Sequence, residues 1–330
     1  MPPLVSIILP TYNRVGYLPD ALQSIAMQDW HDWELVVVDD GSTDHTRAFI
    51  ESQALVPSSA VRYVFQANQG AYGARNTGLD HAAGDLIAFF DSDDLWHRHY
   101  LGRLVRALQS APAIDWAYAA CRVEADGAVT APSTFYVDGV ARRFLRKPVE
   151  QIGDLRRLDS RTALECQISS GLYAGLQNSV IRRSVFTGER FWPDYRVVED
   201  VLFLIRALAR GTTIGYLDEV LVTYRVHADN SSASATGADA ARLLPIFLEE
   251  VRGFERLERE LNWDARTRRL LARKLADIYF WRLGYGGYWS AGRRVEALQS
   301  FRRGLRRHPL DWRMWKTFAI SSLRSVAPSK

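Results

Sequence analysis

Short apolar runs alternate with amphipathic segments through the first 120 residues, and this alternation limits the folds that the chain can adopt. The runs occupy residues 4–9, 34–39, 61–65 and 86–90. Their length and Val/Ile content are typical of strands buried on both faces. Between the first two, apolar residues recur at helical spacing, at Leu18, Ala21, Leu22, Ile25 and Ala26. The pattern predicts an α/β fold with a mostly parallel sheet flanked by helices.

Polar segments follow all four predicted strands. In open parallel sheets, ligands bind beyond the carboxyl ends of the strands, so we expect these segments to converge on one site. Taken singly, each also suits an ordinary turn or helix cap. They are residues 10–13, 39–44, 68–76 and 91–94.

The fourth segment lies in FFDSDDLW, residues 89–96, and holds Asp91, Asp93 and Asp94. Three carboxylates this close repel one another unless a cation or full hydration separates them. Asp91 and Asp93 are two positions apart, so in an extended chain they face the same way and can serve one hard cation. Oxygen ligands favour Mg²⁺ or Mn²⁺ over zinc. The alternative is a surface loop that caps the next helix.

Other common site motifs are missing from the sequence. It contains no CxxC or HExxH zinc pattern, no GxGxxG and no Walker A loop. Two cysteines make no disulfide framework, which favours a reducing compartment. The N-terminus has no basic n-region, and no stretch approaches the about 18 apolar residues of a membrane span. We therefore expect a cytoplasmic protein, either soluble or peripheral at the inner face of the plasma membrane.

Charge is distributed unevenly. The net charge is +4, but residues 1–241 carry −7 and residues 242–330 carry +11. The small polar segment 227–241 is predicted as a linker, which divides the chain into a domain of residues 1–226 and a basic helical region of residues 242–330. Basic residues interleaved with Trp312, Trp315 and Phe318 suit an anionic membrane surface. The alternative is a helical face that is simply exposed to solvent. The positive charge would also allow nucleic-acid binding, but the sequence contains no motif for it.

The middle of the chain is less regular. Residues 122–130 predict a hairpin around Asp126 and Gly127. Residues 138–170 are polar and weakly periodic, and we expect loops over the sheet edge. Residues 198–208 predict a helix with two acids, Glu199 and Asp200, in its first turn.

Taken together, VSIILPTYNR, ELVVVDDGSTD, NQGAYGARNTGL and FFDSDDLW resemble, in order and spacing, the motifs of the inverting family-two glycosyltransferases with the A-type fold. The resemblance covers about residues 4–230. It implies a metal-dependent transfer of a hexose from a nucleoside-diphosphate sugar, with UDP favoured, to a glycan or lipid-linked saccharide. Residues 1–120 would form the donor half and residues 121–226 the acceptor half.

The resemblance also implies roles for single residues. Asp93 would be the main metal ligand, with Asp91 on the ribose or the metal's water shell. His227, in the run 224–227, would contact the metal or the diphosphate, although a lone His is as often structural. The implied donor contacts are Pro10, Thr11, Tyr12, Asn13, Asp39, Asp40, Asn68, Gly70, Arg75, Asp91 and Ser92.

Asp200 matches the position of the family's general base, and Glu199 and Trp96 would contact the acceptor. Two acids at a helix start could instead complement the helix dipole. Two other functions remain open. A phosphohydrolase of the haloacid-dehalogenase class also has Asp-x-Asp after a strand, but it has Thr or Val where this chain has Leu95. A catalytically silent binding module is the other, although every expected catalytic position is filled.

Overall fold

The computed structural model describes residues 4–227, 230 and 240–326. The chain forms two compact units, Met1–His227 and Ala228–Lys330, called unit 1 and unit 2. The predicted linker 227–241 falls mostly outside the described residues. Among the described helices, none is both long and apolar enough to cross a membrane.

Unit 1 is built on one large mixed sheet. Its strands are β1 (Val5–Thr11), β2 (Trp33–Asp39), β3 (Val61–Phe65), β4 (Leu86–Phe89), β5 (Leu95–Trp96), β6 (Trp116–Ala125), β7 (Ala128–Ala131), β8 (Tyr136–Val137), β9 (Val140–Ala141), β10 (Glu150–Ile152), β11 (Leu155–Arg157), β12 (Ser179–Arg182) and β13 (Ile214–Val226). β8 and β9 pair apart from it, as a small two-stranded sheet. Its helices are α1 (Leu18–Ala26), α2 (Thr46–Ser52), α3 (Ala71–His81), α4 (Tyr100–Ser110), α5 (Ser160–Ser169) and α6 (Glu199–Ala209), with 3₁₀ turns at Ser58–Ala60, Arg143–Arg146 and Arg183–Phe186.

The strand order along the large sheet is β10-β11-β13-β6-β12-β4-β1-β2-β3, with β5 paired to β13 and β7 to β6. The four strands predicted first, β1 to β4, are parallel to one another, whereas β12 runs antiparallel between β4 and β6. The carboxyl ends of β1 to β4 therefore meet at one edge, as the sequence predicts.

Both faces of the sheet are covered. On β1, Ile7 and Leu9 belong to one buried cluster with α1, whereas Ile8 belongs to a second cluster with Leu79 of α3. This alternation is the two-residue period of a strand. It explains why the runs of β1, β2 and β4 look continuously apolar in the sequence, since most of their side chains are buried. The prediction of burial on both faces is wrong for β3, which ends the strand order and whose side chains are all exposed or only partly buried.

Two predictions for the middle of the chain have opposite outcomes. The hairpin is confirmed, since β6 and β7 pair across Asp126 and Gly127, both of which have positive φ.

The prediction of loops over residues 138–170 is wrong. That segment includes β10 and β11, which extend the sheet, and α5, which Asp159 caps by accepting a hydrogen bond from the backbone N–H of Thr162 at 3.0 Å. Strands of three residues are too short to show an alternating pattern.

Unit 2 is helical. It consists of α7 (Ala240–Glu260), α8 (Ala265–Asp277), a π-helical segment (Ile278–Trp289), α9 (Arg294–Arg307) and α10 (Trp312–Val326). Its buried cluster includes Phe280 and Phe301, whose rings stack with centroids 4.4 Å apart, and Met314 of α10.

Candidate active site

Loops after β1 and β2 hold each other in place at the carboxyl edge of the sheet. Asn13 has a positive φ of 52°; its backbone N–H donates to Ser42 Oγ at 2.9 Å, and its Oδ1 accepts from the backbone N–H of Thr43 at 2.7 Å. Beside it, Tyr12 is 47% exposed and Thr11 is buried. Tyr12 is thus open at this edge, while Pro10 is only partly exposed. Contact of Pro10, Thr11, Tyr12 and Asn13 with the donor remains a prediction.

Asp40 organises the loop that follows β3. Its carboxylate accepts hydrogen bonds from the backbone N–H groups of Gln69 and Gly70 at 2.8 and 2.7 Å and from Gln66 Nε2 at 2.6 Å. Its backbone oxygen accepts from Asn68 Nδ2 at 2.9 Å. Gly70 has φ of 86°, a conformation that favours glycine, directly before α3. Contact of Asp40, Asn68 and Gly70 with the donor remains a prediction.

The neighbouring Asp39 is also buried and internally bonded. Its Oδ1 accepts from the backbone N–H of Ser42 at 2.8 Å, and its Oδ2 accepts from the hydroxyl of Tyr63 at 2.6 Å. Burial, together with this hydrogen bond, raises the pKa of Tyr63. Asp39 therefore supports the loops in this structure, and a direct donor contact remains a prediction.

Arg75 of α3 joins two carboxylates from distant parts of the chain. Its guanidinium donates to Asp91 Oδ1 at 2.9 Å and to Glu199 Oε1, and its side chain is almost fully buried. Burial lowers and the two facing carboxylates raise the pKa of Arg75, with a net upward shift. The ion pairs connect α3, the end of β4 and the start of α6. Arg75 is thus a positioning residue here, and direct contact with the donor remains a prediction.

Glu199 and Asp200 begin α6 but have different surroundings. Glu199 is 5% exposed, and its Oε2 has no hydrogen-bond partner among the described residues. Asp200 is partly exposed, and its Oδ1 accepts from the backbone N–H of Val201 at 2.6 Å. Burial raises the pKa of both carboxyls, against the opposing effect of Arg75. Of the two acids, Asp200 is the more exposed, and its role as general base remains a prediction.

The prediction that Trp96 contacts the acceptor is wrong. Trp96 is only 4% exposed and packs against Phe90 and Tyr100, with ring centroids 4.6 and 4.2 Å away. Its Nε1 donates to the backbone oxygen of Gln177 at 2.8 Å. An aromatic residue next to an acidic motif is therefore a core residue here. Glu199 is likewise held by Arg75 rather than facing outward.

The acidic run is held by residues from both ends of unit 1. Asp93 Oδ2 lies 3.1 Å from His227 Nε2 and 3.9 Å from Arg14 Nε. Burial and the nearby Asp91 charge raise the pKa of Asp93 despite these partners. Tyr17 stacks on His227 at 4.8 Å between ring centroids. The structure thus brings His227 to Asp93, whereas contact of His227 with a metal or diphosphate remains a prediction.

Asp94 and Arg225 form a contact that the sequence did not reveal. Asp94 is fully buried, and its Oδ1 accepts from the backbone N–H of Arg225 at 3.0 Å. The Arg225 Nε donates to the backbone oxygen of Asp93. Ser92 lies between Asp91 and Asp93 in the sequence and was itself predicted to bind the donor, but it is buried. The third acid of the run therefore anchors it to β13, leaving Asp91 and Asp93 for other contacts.

A divalent cation fits this site only together with other ligands. Among residues 4–227, 230 and 240–326, no three His, Cys, Asp or Glu side chains form a complete metal site. Asp93 nevertheless lies 3.1 Å from the imidazole of His227, and the charge of the nearby Asp91, after burial, contributes to raising the pKa of Asp93. Mg²⁺ typically takes one or two carboxylates and completes its shell with substrate phosphates and water. The residues present fit that mode.

Comparisons with known proteins agree with this geometry. The family model described as glycosyl transferase family 2 matches residues 6–182. An uncharacterized glycosyltransferase from Nostoc sp. is 40% identical over 110 residues, which are 33% of this chain and 34% of that protein. The putative teichuronic acid biosynthesis glycosyltransferase TuaG of Bacillus subtilis is 29% identical over 73% of this chain and 85% of its own length. The GalNAc(5)-diNAcBac-PP-undecaprenol beta-1,3-glucosyltransferase of Campylobacter jejuni is 25% identical over 75% and 72%.

Two solved structures show the same fold. TarS residues 1–349 from S. aureus, in complex with UDP-GlcNAc, has a TM-score of 0.63 at 18% identity, over 93% of this chain and 81% of the other. The mannosyltransferase PcManGT from Pyrobaculum calidifontis, in complex with GDP-Man and Mn²⁺, has a TM-score of 0.57 at 17% identity, over 99% and 81%. The chain belongs to glycosyl transferase family 2, and its fold is the A-type fold of glycosyltransferases.

Proposed function

We propose that this protein is a metal-dependent inverting glycosyltransferase that moves a hexose from a UDP-sugar to a hydroxyl of a glycan or lipid-linked saccharide of the cell envelope. Family membership supports sugar transfer, and the two relatives aligned over most of the chain support the acceptor class by their names. The similar TarS structure holds UDP-GlcNAc, which supports a UDP-sugar donor.

One observation carries the proposal: Arg75 binds Asp91 and Glu199 in a buried network, with Asp200 next to Glu199. Asp91 belongs to the acidic run after β4, whereas Asp200 begins α6, more than 100 residues later in the chain. A buried guanidinium that pairs with both sides fixes the distance between the donor end and the acceptor end of the site. Such fixed placement of reacting groups accounts for a large part of enzymatic rate enhancement.

In the proposed reaction, Asp200 is the general base. An acceptor hydroxyl has a pKa far above neutrality, so Asp200 takes its proton while the oxygen attacks the anomeric carbon of the donor. The bond from that carbon to the diphosphate breaks in the same displacement, which inverts the anomeric centre. Because burial raises the pKa of Asp200, its carboxylate is a stronger base than an exposed aspartate.

The diphosphate leaves as an anion, so the other end of the site must accept negative charge. Asp93, with His227 and Asp91 beside it, would hold Mn²⁺ or Mg²⁺ against the diphosphate, and a cation there offsets the charge of the leaving group. Arg14 lies 3.9 Å from Asp93 and adds a positive charge from the chain itself. Tyr12, partly exposed beyond β1, would border the nucleobase.

We also propose the division that the sequence predicts, with residues 1–226 as the catalytic domain and 242–330 as a separate basic helical region. The two compact units, with their boundary after His227, support this division. Within the first domain, residues 1–120 would bind the donor, and residues 121–226, which include Asp200, would bind the acceptor.

The metal assignment is tested by Asp93→Asn, which keeps the side-chain shape but weakens cation binding. We expect UDP release from a UDP-sugar with Mn²⁺ to fall by about 10²-fold or more, and excess EDTA to abolish release by the unchanged protein. Asp80→Asn is a matched control, since the Asp80 side chain is 63% exposed and pairs with Arg190 at the surface.

The same assay separates the competing functions. Release of inorganic phosphate instead of UDP would indicate the phosphohydrolase, and no cleavage of any sugar nucleotide would indicate the silent binding module. Full activity in excess EDTA would contradict the metal assignment while leaving sugar transfer itself standing.

A further inference from the structure

The last helix turns apolar side chains outward. Leu310, just before α10, is 89% exposed, and Trp312 and Leu323 are 67% and 75% exposed. On the opposite side of α10, Met314 and Ser321 are buried, and Met314 joins the core of unit 2. The exposed residues are therefore not needed for that core. We call them the α10 outer face: Leu310, Trp312, Trp315, Ile320 and Leu323.

The helical spacing makes this face continuous. Trp312, Lys316, Ala319 and Leu323 follow one another at intervals of four, three and four residues, so they lie along one line of the helix. Trp315 and Ile320 lie on either side of this line. Trp315 Nε1 donates to the backbone oxygen of Pro309 at 2.7 Å. This bond satisfies the polar atom of the indole, so its apolar surface can enter a nonpolar environment at little cost.

Positive charge surrounds this apolar line. Arg313 and Lys316 are exposed on α10, and the sequence of the helix contains no acidic residue. Arg302 of α9 lies beside it, with its guanidinium 6.0 Å from the Phe318 ring centroid. Asp311 precedes the helix and is used as its cap, since its Oδ1 accepts from the backbone N–H groups of Arg313 and Met314.

We propose that the α10 outer face docks on an anionic lipid surface. Tryptophan and leucine flanked by Lys and Arg are typical of helices that lie in the membrane interface, and the +11 charge of residues 242–330 complements anionic headgroups. The proposal concerns a surface separate from the transfer chemistry and does not depend on the proposed reaction.

Lys316 distinguishes a lipid surface from a second protein copy. It lies in the middle of the apolar line, between Trp312 and Ile320 at four-residue intervals. In a protein interface this ammonium would be desolvated, and lysine is depleted from such interfaces. At a bilayer, its stem can lie along the acyl boundary while the ammonium reaches the headgroups.

The residues that would contact the lipid surface differ from those that the sequence suggested. The sequence suggested Phe318 together with Trp312 and Trp315, but Phe318 is only partly exposed and packs against the core of unit 2. Leu310, Ile320 and Leu323 replace it on the exposed side.

The test is cosedimentation of the full chain with phosphatidylcholine vesicles that contain or lack phosphatidylglycerol. We expect binding only to the anionic vesicles, weakening as salt rises. The double variant Leu310→Ser/Leu323→Ser should bind about tenfold more weakly. Its matched control is Val129→Ser/Val140→Ser, which removes two valines of unit 1 that are also at least half exposed and should bind normally.

Charge is tested separately with Lys316→Glu, which should weaken binding to anionic vesicles. The control Arg259→Glu reverses a charge on α7, where Arg259 is 71% exposed, and should have a smaller effect. Thermal unfolding of each variant verifies that it is folded, and sedimentation equilibrium measures its oligomeric state. Unchanged vesicle binding by folded variants, equal binding to neutral and anionic vesicles, or no binding at all would overturn the proposal. A dimer that the serine variant converts to a monomer, without vesicle binding, would also overturn it and assign the face to a second copy.

Discussion

At the scale of single residues, adjacent acids in this site perform different tasks because their surroundings differ. Glu199 is buried against Arg75, whereas Asp200 is partly exposed and bonded to the backbone of its own helix. Asp93 faces His227, whereas Asp94 is buried against the backbone of β13. The sequence shows only that acids are present in pairs.

Asp200→Asn should separate chemistry from stability. Asparagine has nearly the same shape but cannot accept the acceptor's proton, so sugar transfer should fall by about 10²-fold or more. Donor binding in the presence of Mn²⁺ should stay near that of the unchanged protein, and the melting temperature should not fall, because burial disfavours the charged form of Asp200. Steady-state transfer assays, donor titration and thermal unfolding measure these three quantities.

Glu199→Gln is the matched comparison, because it removes charge from a buried ion pair instead of from the base. Burial already raises the pKa of Glu199, and Arg75 keeps Asp91 as a partner, so the loss in the free energy of unfolding should be smaller than the about 3–5 kcal/mol typical of breaking a buried ion pair. Denaturant unfolding measures this loss. If Asp200→Asn transfers sugar at the normal rate and Glu199→Gln loses transfer without losing stability, the base is Glu199.

The pH profile of transfer gives an independent measure of the base. Burial raises the pKa of Asp200 above its ordinary value of 3.8. The base must be ionised to work, so kcat should fall as pH decreases through this raised pKa, at a higher pH than for an exposed aspartate. The same shift means that the protonated form favours folding, and that this contribution to stability is lost as pH rises through the folded pKa. A kcat that stays constant down to pH 3.8 would contradict the assignment.

Much of the site could be predicted from the sequence, because strand ends of a parallel sheet meet at one edge. That reasoning, with the family resemblance, selected Asp91, Asp93, Arg75, Asp200 and His227, which the structure brings together. It missed Arg14, Asp94 and Arg225. The contact between Asp94 and Arg225 joins residues 131 apart in the chain, and no local pattern indicates such a pairing.

At the scale of elements, the long buried strands and amphipathic helices were predictable, whereas short edge strands were not. The close packing of α3 on β1 could not be predicted from composition. A Cβ on Gly78 would lie 2.3 Å from Ile8 Cγ2, so α3 packs closely on β1 through a glycine. This contact places Arg75, one turn earlier on α3, next to Asp91.

Gly78→Ala should therefore destabilise the protein, although alanine favours helices over glycine by about 1 kcal/mol. Overpacking a core contact costs about 1–3 kcal/mol, which exceeds that gain at the upper end. Gly16→Ala is the control, since no atom lies within 4 Å of its added Cβ. Chemical denaturation of both variants compares their free energies of unfolding. A Gly78→Ala protein more stable than the original would show that β1 and α3 separate easily.

At the scale of the whole molecule, charge and core divide the chain in the same way. The acidic residues 1–241 and the basic residues 242–330 nearly coincide with the two compact units. The main buried clusters of the sheet draw only on unit 1, and the cluster around Phe280 and Phe301 draws only on unit 2. The sequence predicted the charge division and two residues of the α10 outer face, Trp312 and Trp315. It did not predict Leu310, Ile320 and Leu323, and it wrongly included Phe318, because a helical pattern does not tell which side of a helix meets the core.

Separate cores lead to a final prediction: a chain shortened to residues 1–239 should fold without unit 2. Its sheet, both buried clusters and the ion pairs of Arg75 all lie before residue 228. We expect cooperative thermal unfolding and binding of a UDP-sugar with Mn²⁺ at an affinity within a few-fold of the full chain, while binding to anionic vesicles is lost. Circular dichroism, donor titration and vesicle sedimentation measure the three properties. An aggregated or non-cooperative shortened chain would show that unit 1 requires unit 2 for its stability, and the division at residue 227 would then describe compactness without independent folding.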